Sequence, residues 1–108
     1  MTDDEIITAI GEDALRELDA ICAFCDCGRE PYMALVPSNR RRLYEPGGDE
    51  HHLVEHGLVR LHRRVYLPTH ERRMPALSMT HEGRRLLRRA AVRGINLIPV
   101  VNEKPGGE

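Results

Sequence analysis

Between Gly57 and Thr80 the chain reads LVRLHRRVYLPTHERRMPALSM, and no other stretch limits the possible folds as much. From Leu58 to Leu67 the odd positions are Val59, Leu61, Arg63, Val65 and Leu67; the even ones are Leu58, Arg60, His62, Arg64 and Tyr66. An approximate period of two is the spacing of a strand, with one apolar face expected and one mostly basic. Pro68-Thr69-His70-Glu71 supplies turn chemistry, and residues 72–79 return as a second strand. Pro75 has no N–H to give a ladder, which restricts the returning strand to a sheet edge or a bulge.

Helical patterns stand on both sides of this hairpin. Residues 11–27 carry Ala14, Leu15, Leu18, Ile21, Cys22 and Cys25 at helical spacing, with Glu12 and Asp13 suited to the first turn and Gly28 to the end. A short helix over 3–10 precedes it, whose Ile6, Ile7 and Ile10 are available to the core or to a partner. The run 31–37, bracketed by two prolines, suits one short strand or an extended link. Ser38 suits the cap of a brief helical turn through NRRRLYE, stopped by Pro46-Gly47-Gly48; Asp49 caps a second short helix that ends at Gly57. After the hairpin, Thr80 caps HEGRRLLRRAAVR, with Leu86, Leu87, Ala90 and Ala91 on its apolar side and Gly94 at its end. The tail begins with the apolar INLIPVV and closes with KPGGE, which is expected to fray.

Two stretches give this order of elements a resemblance. LVEHGLV (53–59) resembles the L-x-x-x-G-L-V with which MarR-like and related winged-helix regulators leave one helix and enter the wing. LSMTHEGRRLL (77–87) is similar to the L-T-x-x-G-R-x-L-L with which they leave it, Met79 standing where leucine is usual. The resemblance covers about a third of the chain directly and implies an α+β winged helix, mainly α with a β-hairpin wing. One domain is expected over 1–94, with the tail at 95–108. Independently of any family, Gly57 allows a sharp exit from a helix, and Gly83 permits close backbone approach in the first turn after Thr80. Such positions specify a fold and not an activity.

With 108 residues the chain has enough length for a core without staples, built from Leu, Ile, Val, Ala and Met because there is one Phe and no Trp. Its net charge of −1 hides a split. Residues 1–39 hold nine acids and two arginines, whereas residues 40–93 hold thirteen arginines and six acids. Two readings follow: the basic half meets an anionic partner, or the two halves neutralise each other within a monomer or across a dimer. Winged-helix regulators set a helix in the major groove and touch the adjacent backbone or minor groove with the wing. Here the corresponding helix carries Asp49, Glu50 and Glu55, which phosphates repel. Contact is therefore expected through Arg40, Arg41 and Arg42 before that helix, and through Arg60, Arg63, Arg64, His70, Arg72 and Arg73 of the hairpin.

Cys22, Cys25 and Cys27 suggest zinc by spacing, with His51, His52 or His56 completing a set, and His52 and His56 stand four residues apart. Yet Cys22 and Cys25 share the apolar face with Leu15 and Leu18, where cysteine acts as a small buried hydrophobe, and no metal or other cofactor is expected. The six histidines otherwise suit a surface region. There is no phosphate-binding glycine loop, no H-E-x-x-H and no supported Ser-His-Asp order, so no catalytic residues are assigned. An acidic N-terminus and the absence of a long apolar run point to a cytoplasmic protein away from membranes. The expected function is that of a small transcriptional regulator binding double-stranded DNA, with a homodimer through Ile6, Ile7, Ile10 and the tail as one arrangement open to it. The alternative is a protein-interaction module, an adaptor or inhibitor, docking a protein partner through its acidic helix and basic hairpin.

Overall fold

The computed structural model describes residues 2–28, 30–36 and 49–95. Among them the chain is α+β, with three helices and one three-stranded antiparallel sheet. In order these are α1 (Asp3–Cys27), β1 (Met33–Ala34), α2 (Asp49–Glu55), β2 (Val59–Leu67), β3 (Arg72–Met79) and α3 (His81–Val92). The sheet order is β1-β3-β2, so the last strand in sequence lies in the middle. The brief helical turn expected around 38–45 and the INLIPVV segment beyond Ile95 lie outside the described residues.

The two helices expected over 3–10 and 11–27 form one element broken at Gly11, whose φ of 86° and ψ of 169° belong to a region essentially restricted to glycine. Thr2 and Glu5 cap the first part reciprocally: Thr2 Oγ1 accepts from the Glu5 N–H at 3.2 Å, and Glu5 Oε1 accepts from the Thr2 N–H at 2.7 Å. Ile7, Ile10, Ala14, Leu15, Leu18 and Ile21 are buried against Leu35, Leu53, Leu58, Val59, Leu77, Leu86 and Ala90. Ile6 packs against this core, so the isoleucines considered for a partner serve the interior of the single chain.

Pro75 lies in the central strand and not at an edge, and a bulge makes room for it. His62 pairs with Ala76 and Val65 with Met74, so Arg63 and Arg64 together oppose Pro75. On the other side the register places Leu35 opposite Pro75; the Leu35 N–H donates to the Pro75 carbonyl at 2.9 Å, and proline has no N–H to return the bond. That keeps β1 short.

The bulge also corrects the expectation of one continuous apolar face on β2. Before it, Val59 and Leu61 pair with Met79 and Leu77 and join the main core. After it, Val65 and Leu67 join Ala34, Met74 and Ala76 in a second cluster on the opposite face, with Tyr32 and Val36 packed against it. One extra residue reverses the sidedness of everything beyond it.

Helix α2 ends in a paired hydrogen-bond motif, Gly57 N–H to Val54 O at 3.0 Å and Leu58 N–H to Leu53 O at 2.9 Å, which sends the chain into β2. The start of α3 is fastened to that same exit. Thr80 Oγ1 donates to the Gly57 carbonyl at 2.6 Å and accepts from the Gly83 N–H at 3.0 Å, while the Thr80 N–H reaches Leu58 O at 3.3 Å. A Cβ on Gly83 would overlap the Leu58 carbonyl oxygen, a backbone atom that cannot swing away. Gly83→Ala is therefore expected to lower unfolding free energy by about 3 kcal/mol, measured by urea denaturation. Gly11→Ala, which meets open space and suffers only the backbone strain, should cost less, about 1–2 kcal/mol.

Candidate functional site

The arginines divide into two groups by their surroundings. Three of α3 (Arg84, Arg85 and Arg89) and Arg93 at its end are held by the acidic helix α1, whereas Arg88 of α3 is exposed and has no carboxylate partner among the described residues. Arg84 makes a two-pronged bond to Asp26 at 2.8 and 3.0 Å, Arg85 contacts Asp3 at 3.1 Å, and Arg89 makes a two-pronged bond to Asp4 with both contacts at 3.0 Å. Arg93 approaches Asp4 at 3.5 Å. Asp3 and Asp26 thus grip neighbouring residues of α3, although a straight helix would set them about 34 Å apart. The break at Gly11 folds α1 so that both ends reach the same helix.

This mutual neutralisation leaves clear electrostatic marks. The guanidinium of Arg89, hydrogen-bonded to Asp4, holds that carboxyl below the usual carboxylate range, and Arg84 does the same for Asp26. Arg84 and Arg89 are pushed upward in turn by the bonds to their aspartates. All these groups are largely solvent-exposed, so each pair alone adds little to stability.

The second group lies on the hairpin. Arg60, Arg63 and Arg64 on β2, and Arg72 and Arg73 on β3, are all exposed. Among the described residues none of these five has a carboxylate partner within ion-pair distance. Glu71, the one acid of the hairpin turn, forms no such pair either, and it adopts a positive φ of 53° in a turn closed by His70 N–H to Leu67 O at 2.9 Å. His70 is exposed on this turn. The sequence-predicted hairpin residues therefore come together on one projecting element; Arg40, Arg41 and Arg42 lie outside the described residues. Guanidinium groups offer paired donors suited to phosphate or carboxylate oxygens.

The hairpin is braced at its sides. Thr69 Oγ1 donates to Glu30 Oε2 at 2.8 Å, tying the turn to the segment before β1. His62 Nε2 and Ser78 Oγ lie 2.8 Å apart in a cross-strand hydrogen bond, and the His62 ring meets Tyr32 edge-on at 5.0 Å. Burial, aided by the nearby Arg60 charge, pushes the His62 pKa down and favours the neutral ring.

The cysteines divide likewise. Cys25 is buried and Cys22 half-buried, as the apolar stripe implied, whereas Cys27 is exposed. Burial pushes both the Cys22 and Cys25 thiols up, and Cys22 Sγ accepts a bond from Arg84 at 3.4 Å. His51 and His52 approach Glu55 at 3.6 and 3.5 Å on α2. Among the described residues no three His, Cys, Asp or Glu side chains gather as metal ligands. None of the described helices is long and apolar enough to cross a membrane.

Sequence reasoning missed two features. The clamp between α1 and α3 joins residues more than fifty positions apart, and its only advance signal was the opposite charge of the two segments. The bulge was hidden by the apparent regularity of β2, and with it the turn of Val65 and Leu67 to the second cluster. No protein-family model, curated protein or solved structure matches this chain.

A pH experiment tests the clamp. Asp4 and Asp26 titrate below their unfolded values, so their contribution is present above the ordinary aspartate pKa of about 3.9 and is lost as pH falls through the folded values. Between about pH 5 and pH 2, urea midpoints should fall more steeply for the wild type than for Asp4→Asn/Asp26→Asn.

Proposed function

We propose that this chain is a small winged-helix DNA-binding protein, a transcriptional regulator that grips the phosphate backbone of duplex DNA through the hairpin as its wing. The observation that carries the reading is the contrast between arginines. Three on α3 and Arg93 at its end meet aspartates of the same chain, while Arg60, Arg63, Arg64, Arg72 and Arg73 stand exposed without such partners among the described residues. Internal neutralisation accounts for most of the basic charge of α3, Arg88 excepted, and for none of the five arginines of the hairpin among the described residues. Five guanidiniums within fourteen residues exceed what protecting a strand edge requires.

The fold reading has its own support. A sheet ordered β1-β3-β2, with the hairpin between a short helix and a capped one, suits a wing. The two stretches that resemble winged-helix regulators also touch each other, through Gly57 and Leu58 of one and Thr80 and Gly83 of the other. On this reading His70 sits at the wing tip, and Arg40, Arg41 and Arg42 add charge ahead of the acidic α2. Recognition is then of backbone and groove shape more than of base edges.

Titration of random-sequence duplex DNA against salt provides the test. Affinity should fall with a log–log slope of roughly −3 to −5, as expected when several phosphates are neutralised. Arg63→Ala/Arg64→Ala/Arg72→Ala/Arg73→Ala should flatten the slope by about 3. Absence of binding at low salt, or equal binding by the quadruple variant, would favour the protein-interaction module.

A further inference from the structure

Resting on the DNA-binding reading above, we infer that Tyr66 is a stacking residue that gives the hairpin a preference for DNA containing an unpaired base. Tyr66 is 51% exposed, a high value for a tyrosine within a strand. Its cross-strand neighbour is Arg73, one of the hairpin arginines without a carboxylate partner. Arg64, two residues earlier on β2, projects from the same side of the strand.

The bulge produces this arrangement. Without the extra residue, the alternation that buries Val59 and Leu61 would turn Tyr66 to the opposite face; with it, Val65 and Leu67 fill the second cluster and Tyr66 faces solvent beside Arg73. No aromatic pair engages the Tyr66 ring among the described residues. An open π-face flanked by guanidiniums matches one ligand chemistry especially well: a flat nucleobase on an anionic backbone. Guanidiniums hold the phosphates while the ring takes the base, and stacking of this kind tolerates any sequence because every base has a π-face. In intact duplex the bases are already stacked on each other, so the ring gains a partner only where one is unpaired.

The experiment compares a labelled random-sequence duplex with the same duplex carrying a central gap of a few nucleotides, by fluorescence anisotropy. The wild type should bind the gapped DNA about tenfold more tightly. Tyr66→Ala should lose that preference and keep its affinity for intact duplex, while Tyr66→Phe should retain both. The chain has no tryptophan, so Tyr66→Trp places a single reporter at the site; its emission should be quenched by saturating gapped DNA and far less by saturating duplex. Equal wild-type affinity for the two DNAs, or an unchanged preference in Tyr66→Ala, overturns the stacking role and leaves the backbone grip standing. Failure to bind either DNA overturns the grip and the stacking role together.

Discussion

The contact between Gly83 and the Leu58 carbonyl is the constraint on which the rest of the structure depends. It fixes where α3 begins against the point at which the chain leaves α2, and so it closes the base of the hairpin. Thr80 completes the junction, accepting from Gly83 and donating to Gly57. Leu58, Val59 and Leu86 are buried beside it, so the junction sits over packed side chains. A projecting hairpin needs such a fixed base, because among the described residues its outer half is held by the small cluster around Met74 and Leu67 and by the Thr69–Glu30 bond.

Charge is distributed by the same geometry. The bend at Gly11 folds the acidic first turn of α1 over α3, and three aspartates then pair with Arg84, Arg85 and Arg89 of α3 and with Arg93 at its end. The hairpin lies beyond reach of that helix and keeps its charge exposed. Of the two readings of the charge split, neutralisation within the monomer is realised along α3, while the hairpin arginines meet no carboxylate among the described residues. A chain with net charge near zero can thus present a strongly basic element, because what a partner meets is the local field.

Much of the fold was legible because it rests on local chemistry. The hairpin, its four-residue turn, the Thr80 cap, the Gly57 exit and the apolar stripe of α1 all follow from residue types whose effects act within a few positions. The role of Gly83 was legible too, since a glycine in the first turn after a helix cap permits close backbone approach. What stayed hidden was relational. Pro75 was consistent with an edge or a bulge, and only the pairing of β1 with β3 put it in the middle of the sheet. The sidedness of β2 followed from that bulge, so the turn of Val65 and Leu67 to the second cluster was beyond any reading based on strict alternation, whereas Tyr66, expected on the basic face, is exposed.

The sequence by itself determined the kinds of element, their order and the concentration of arginine in residues 60–73, because propensity, capping and composition are properties of short segments. The tertiary structure decided which arginines meet an aspartate and which, among the described residues, do not. That depends on distances between side chains more than fifty residues apart, and those distances are set by one bend at Gly11 and one bulge opposite Pro75.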